Sequence, residues 1–252
     1  MTSKFSSLRL PPAARGSLLR SVVERSRRRS SEGPPVVVFD LDGTLMDNRP
    51  RVVAILHELA EHWRLAHAEA SELCARARED DILYGLVENL QRLGIHDPHL
   101  LQEGFAFWKQ RFFSDPQMRH DVEVPGATSF VRDCHEGGAV IVYLTGRDLP
   151  NMALGSFASL RDLGFPIGVV GTELVVKPHF DVADTDFKRE VAPQLGRLGP
   201  VVAVFDNEAA NCNLLIEAHP ECISVFLDTQ HAPDPPELDP RVRVVDSFVR
   251  EP

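Results

Sequence analysis

The run Phe39-Asp40-Leu41-Asp42-Gly43-Thr44-Leu45 sets two carboxylates at positions i and i+2, at the end of an apolar stretch and just before a glycine. Residues two apart lie on the same side of an extended chain, so Asp40 and Asp42 can face one centre. Gly43 lets the backbone turn sharply enough for its amides to face an anion. Further along, Thr145 in Tyr143-Leu144-Thr145-Gly146-Arg147, Asp206 in Val204-Phe205-Asp206-Asn207-Glu208, and Asp228 each close an apolar run, while Lys177 and Lys188 fall between Thr145 and Asp206. If the fold brings these oxygen donors together, they form a small, hard site of the kind that suits magnesium. A divalent cation held there would offset the repulsion between a carboxylate and an anionic ligand.

The elements that must position these groups are short, unbroken β-type runs: Val36–Phe39, Val140–Leu144, Val201–Phe205 and Ile223–Leu227. Continuous rather than alternating apolarity means that both faces are covered, as in a parallel sheet between helices. Helices are predicted over 126–136, stopped by Gly137-Gly138, and over 149–163, capped by Asp148 and stopped by Gly164. Two more follow over 185–198, where Pro193 should kink or shorten the helix, and over 207–218, with Pro220 beyond. The alternation gives an α/β, doubly wound parallel-sheet, Rossmann-like fold. Ligands in such sheets sit outside the carboxyl ends of the strands, which puts Asp40, Thr145 and Asp206 on one rim if their strands are neighbours.

Residues 50–121 break the pattern. They carry no such strand run and read as helices over Val52–Ala70, Ser71–Leu93 and Leu100–Phe113, with Ile55, Leu59 and Trp63, then Leu86, Leu90 and Leu93, at amphipathic spacing. The expected organisation is a basic N-terminal helix and linker over 1–35, an α/β core over 36–49 plus 122–252, and a small helical insert over 50–121. His57 and His62 in the insert imitate a zinc motif, but at i and i+5 they cannot share a metal face.

The 252 residues are 43% apolar and 25% charged, ordinary values for a globular chain. Cys74, Cys134, Cys212 and Cys222 form no C-x-x-C pair, which points to a reducing, cytoplasmic setting. No apolar run approaches the roughly 18 residues of a bilayer span. Residues 1–35 hold eight basic side chains against Glu24 and Glu32, a balance of +6 that leaves −16 for the rest. So acidic a body argues against nucleic acid as partner. The run Arg25–Arg29 is read first as a solvated helix face, although RNA, membrane headgroups or an acidic partner could meet it, and an Arg- and Ser-rich start also resembles a transit peptide. No feature speaks to oligomeric state.

The D-x-D-G-T of Asp40 to Thr44, followed in order by Thr145, a lysine and Asp206, resembles the haloacid dehalogenase-like (HAD) superfamily, phosphatase branch, over residues 36–252. The resemblance implies a magnesium-dependent phosphohydrolase acting on a small-molecule phosphate monoester, with the insert between the first and second motifs as a helical cap that selects substrate. It makes Asp40 the nucleophile that forms an aspartyl-phosphate and Asp42 the general acid and base. Thr145 and the lysine become catalytic and phosphate-binding groups, joined in phosphate binding by Gly43 and Gly146. Asp40, Asp42 (through its backbone carbonyl) and Asp206 become metal ligands.

Lys188, on the helix feeding the Asp206 strand, fits the family lysine better than Lys177, which is followed by Pro178. The fourth motif departs from the common G-D-x-x-x-D form: Glu208 could replace the second acid, Asn207 and Asn211 could hold a metal-bound water, or all three could be polar residues at a helix start. Asp228 reads as a turn residue. Arg49, Arg51, Asp80, Asp81 and Tyr84 are candidates for substrate contact. Asp42 disfavours the dehalogenase branch, and a lone insert lysine, Lys109, disfavours phosphonate hydrolysis. A sugar-phosphate mutase and a catalytically weak binding or regulatory protein remain as alternatives.

Overall fold

The computed structural model describes residues 3–28 and 30–250; Arg29 of the basic run lies outside them. In chain order the elements are α1 (Pro12–Ser26), β1 (Val36–Phe39), β2 (Met46–Asp47), α2 (Arg49–Trp63), α3 (Ala68–Ala75), α4 (Leu86–Arg92), α5 (Pro98–Phe112) and β3 (Val122–Glu123). The second half adds α6 (Ala127–Glu136), β4 (Val140–Asp148), α7 (Leu149–Asp162), β5 (Thr172–Lys177), α8 (Asp184–Val191), β6 (Val201–Asp206), α9 (Ala209–Ala218), β7 (Ile223–Leu227) and β8 (Arg243–Val245). Six strands form one sheet in the order β5-β4-β1-β6-β7-β8, and every pairing in it is parallel. Strand β1 is therefore flanked by β4 and β6, with Phe39 level with Tyr143 on one side and Phe205 on the other.

The unbroken valines are explained by the two layers that cover the sheet. Val37 and Phe39 point into one core with Phe130, Phe205 and Phe248, while Val36 and Val38 point into the other with Val204, Leu215 and Phe226. Each buried side chain of this size contributes about 1.5–3 kcal/mol of transfer free energy, so neither face tolerates a polar run. Helix α1 adds Leu19, Val22 and Val23 to the first layer and leaves Arg27 and Arg28 exposed. Of the basic run, Arg25 lies in the last turn of this docked helix and donates to Glu221 O at 3.0 Å, while Arg27 and Arg28 follow its end; Arg15 ties the helix to Asp246 and to the Val249 carbonyl. At Pro193 the helix predicted over 185–198 gives way, α8 ending at Val191 and a 3-10 segment covering Ala192–Arg197.

Four helices, α2 to α5, lie between β2 and β3, and Leu56, Leu59, Trp63, Cys74, Leu86 and Leu90 form a separate core among them. The chain leaves for them and returns through the short antiparallel pair β2–β3. Two predicted helices are each shorter than their sequence pattern: Val52–Ala70 stops at Trp63, and Ser71–Leu93 divides into α3, a single turn over Glu79–Asp81, and α4. The division has a local cause. Asn89 accepts from Leu83 N at 2.5 Å and donates to Leu83 O at 3.1 Å, which satisfies an extended backbone that would otherwise seek helical partners. All four cysteines are unpaired, and among the described residues no helix is long and apolar enough to cross a membrane.

Candidate active site

Because β4, β1 and β6 are adjacent, Asp40, Thr145 and Asp206 share the carboxyl rim of the sheet. Helix α8 sends Lys188 between two of them: its Nζ donates to Asp40 Oδ1 and to Asp206 Oδ2, each at 2.7 Å, and the side chain is buried. Burial lifts Asp40 from the ordinary 3.8 to about 7, with Lys188 opposing the rise and the Asp206 charge adding to it. Burial alone would lower the Lys188 ammonium, but the two carboxylates outweigh it and hold the cation above its ordinary range. Lys177 is spent elsewhere, on Asp184 Oδ1 at 2.7 Å and on the Val182 and Phe180 carbonyls. Of the two lysines, Lys188 is the one the fold brings to Asp40.

Asp42 is placed differently from its neighbour. Arg147 Nε donates to Asp42 Oδ2 and Nη2 to Oδ1, both at 2.8 Å, and Arg51 Nη2 adds a third bond at 2.9 Å. Burial would raise this carboxyl, but the Arg147 and Arg51 charges dominate and hold it far below the usual carboxylate range. In this arrangement Asp42 is an anion with no proton to give, and its carboxylate faces guanidiniums rather than Asp40 and Asp206. Arg51 and Arg147 both reach a further buried carboxylate, Asp121, at 2.6 and 2.8 Å.

The loop after Asp40 is braced by the fourth motif. Gly43 has φ +75°, and a Cβ there would stand 2.4 Å from Asn207 Nδ2 and 3.0 Å from the Gln230 carbonyl. Thr44 Oγ1 donates to Asn207 Oδ1 at 3.1 Å, while Asn207 Nδ2 donates to Gln230 O at 2.6 Å. Gly146 leaves room for Asp184, whose Oδ2 would lie 2.2 Å from a Cβ. Thr145 Oγ1 accepts from Arg147 N at 3.2 Å. Glu208 lines the same cavity and accepts from Ala232 N at 2.8 Å, and burial lifts its carboxyl from 4.5 to about 7. Asn211 Nδ2 donates to Asp206 Oδ1 at 3.2 Å. Asp228 is buried and paired with Arg9.

Asp40, Asp42, Gly43, Thr145, Lys188 and Asp206 open on one cavity of about 510 Å³ that also touches Tyr84, Trp108, Phe112 and Phe113 of the helical insert. Of the residues weighed for substrate contact, Tyr84 lines it; Arg49 pairs with Asp47, and Arg51 is locked against Asp42 and Asp121. Reading the sequence missed Arg147 and the aromatic wall. Arg147 directly follows Thr145-Gly146, and Trp108 and Phe112 stand at i and i+4 with Phe113 next in the chain, so both had a signal.

No group of three or more His, Cys, Asp or Glu suited to a metal is present among the described residues. The donor set nevertheless fits magnesium, which is commonly held by one or two carboxylates with water and substrate oxygens completing its shell. Asp40 and Asp206 supply two, and beside them Asn211 Oδ1 is buried without a hydrogen-bond partner.

A family model for haloacid dehalogenase-like hydrolases matches residues 34–219. No curated protein matches the chain. Two of the solved structures similar to this chain show the shared fold. A Clostridium difficile protein provisionally assigned as a phosphatase is 13% identical with a TM-score of 0.57, covering 85% of this chain and 95% of its own. Protein tyrosine kinase A of Mycobacterium tuberculosis is 15% identical with a TM-score of 0.53, covering 86% and 95%.

Proposed function

This chain belongs to the haloacid dehalogenase-like hydrolase family, and on that premise we propose that it is a magnesium-dependent phosphohydrolase of small phosphate monoesters. The observation that carries the reading is the convergence of Asp40, Asp206 and Lys188 at one buried point, with Thr145 and Gly43 opening on the same cavity. Asp40 would attack phosphorus through a carboxylate oxygen as the bond to the leaving oxygen breaks, forming an aspartyl-phosphate. Water would then attack the same phosphorus, releasing inorganic phosphate and restoring the carboxylate. Lys188, the Thr145 hydroxyl, Gly43 and Gly146 would hold the phosphoryl oxygens, the lysine offsetting negative charge as it develops. Magnesium, held by Asp40, Asp206 and the Asp42 backbone carbonyl, would supply the positive charge that lets two anions meet.

Asp42 would protonate the leaving oxygen and later take the proton of the water, which requires its carboxylate to leave Arg147 and Arg51. A second reading, a catalytically weak binding protein, draws on that same grip. Purified chain with Mg2+ is expected to release phosphate from an aryl phosphate, EDTA to stop it, and Asp40→Asn to abolish it. Silence across a panel of metabolite phosphates, together with binding of phosphate analogues, moves the conclusion to the second reading.

A further inference from the structure

The cavity has two unlike halves. One is the polar rim of the sheet; the other is a wall from the helical insert made of Val52, Leu83, Leu86, Trp108, Phe112 and Phe113. The rings of this wall are mutually ordered: Trp108 stacks on Phe112 at 4.7 Å and meets Phe113 edge-on at 5.6 Å. Phe113 in turn meets Phe180 edge-on at 5.0 Å. Phe112 is engaged by Trp108 and by the Arg51 guanidinium 4.5 Å from its centroid, which leaves Trp108 and Phe113 as the rings that can meet another flat ring face-on or edge-on.

The charges around the cavity point the same way. Its cationic lining side chains, among the described residues, are Lys188 and Arg147. Both are committed, Lys188 to Asp40 and Asp206, Arg147 to Asp42 and Asp121. Beyond the three motif acids, Asp184, Glu208 and Asp234 also line the space. A substrate bearing one phosphoryl group can be served at the rim. A second phosphate or a carboxylate would be desolvated against apolar rings or would face carboxylates, with no cation to receive it.

We propose that the site takes phosphate monoesters of compact aromatic alcohols and rejects esters that carry a second anionic group. This rests on the phosphohydrolase reading and narrows its substrate class. It also sets the mutase alternative aside, because moving a phosphoryl group between two hydroxyls of one sugar passes through a species that bears two phosphates, and the insert wall has no cation for the second.

The test compares kcat/KM of the full chain with Mg2+ on benzyl phosphate, its 4-carboxy analogue, glucose 6-phosphate, fructose 1,6-bisphosphate and acetyl phosphate. Benzyl and sugar esters both leave as alkoxides, so leaving-group strength does not set their ranking. Benzyl phosphate is expected to exceed each of the sugar esters and the carboxy analogue by about tenfold or more, the discrimination that an apolar pocket commonly gives. Tyr84→Ala, at an exposed position of the wall, and Trp108→Ala should both shrink the benzyl-to-acetyl ratio. Leu83→Lys, at a partly exposed lining position, should raise the carboxy analogue relative to benzyl phosphate. Sugar bisphosphate turnover equal to or above that of benzyl phosphate overturns the substrate class while leaving the hydrolase reading intact. So does a Leu83→Lys enzyme with unchanged ratios. No turnover of any ester, acetyl phosphate included, overturns the hydrolase reading and this proposal with it.

Discussion

Arg147 grips the Asp42 carboxylate with two parallel hydrogen bonds of 2.8 Å, one to each oxygen. Arg51, carried by the first helix of the insert, and Asp121, at the strand that returns from it, complete a square of two guanidiniums and two carboxylates. Arg51 and Asp121 have no exposed side-chain surface. The second acid of the D-x-D motif is thereby tied to the point where helical insert and sheet meet, so the geometry of the candidate site and the seating of the insert share one set of bonds.

Asp121→Asn tests the weight of that square. It leaves two buried guanidiniums facing one carboxylate, and breaking a buried pair costs about 3–5 kcal/mol. For a chain of this length the expected fall in Tm is roughly 6–20 °C. The exposed pair Arg76–Glu72 is the control, since surface pairs contribute about 0–1 kcal/mol. Thermal unfolding of Asp121→Asn beside Glu72→Gln decides it; equal, small shifts would mean that the square does not hold the insert.

Lys188→Met should reduce kcat by about 10²–10³, the usual cost of removing one preorganised charge from a transition state. Lys177→Met, despite its buried bonds, should leave kcat/KM close to wild type, because its ammonium is engaged with Asp184 and two carbonyls away from Asp40. Steady-state kinetics on any hydrolysed ester compares the two. Equal losses would remove Lys188 from its assigned place.

Asp40 sets a pH dependence whose sign follows from its raised carboxyl. Between the ordinary 3.8 and about 7 the folded chain binds a proton that the unfolded chain has released. Stability from this group therefore declines as pH rises through that window and stays low above it. Glu208, also raised to about 7, acts in the same direction. Metal-free protein should accordingly be more resistant to urea near pH 5 than near pH 8. Asp40→Asn should narrow the gap, and Mg2+, which competes with the proton for the same oxygens, should restore resistance near pH 8. A gap that persists unchanged in Asp40→Asn contradicts the assignment.

What the sequence made legible were groups whose position follows from a local pattern. Asp40, Thr145 and Asp206 end unbroken apolar runs, and such runs become neighbouring parallel strands with their carboxyl ends together. Lys188 could be preferred because it rides the helix leading into β6. The square could not be read, since Arg147 and Asp42 are 105 residues apart and Arg51 and Asp121 are 70 apart. No local period records which carboxylate a long guanidinium side chain selects once two elements meet. The split of Ser71–Leu93 is local by contrast: Asn89 bonds to Leu83 six residues away and Gly85 precedes α4, neither of which alters the apolar spacing from which the helix is read.

Two glycines at the site make a last comparison, because both are crowded yet only one should be indispensable. At Gly146 a Cβ would meet the carboxyl group of Asp184, whose side chain is 59% exposed but is paired through Oδ1 with Lys177, and the backbone there needs no left-handed φ. At Gly43 a Cβ would meet Asn207 Nδ2, which is held by the Gln230 carbonyl while its Oδ1 holds Thr44, and φ is +75°. Gly43→Ala therefore adds backbone strain of about 1–3 kcal/mol to the displacement of a buried bracket and should also depress kcat/KM by misplacing the loop amides. Gly146→Ala should displace Asp184 from Lys177 and cost about 1 kcal/mol or less, since the Asp184 side chain is more than half exposed and Lys177 keeps two carbonyl partners. Urea unfolding of the two variants side by side, read with their turnover, separates the cases; a Gly43→Ala protein as stable and active as wild type would show that the loop does not need its left-handed turn.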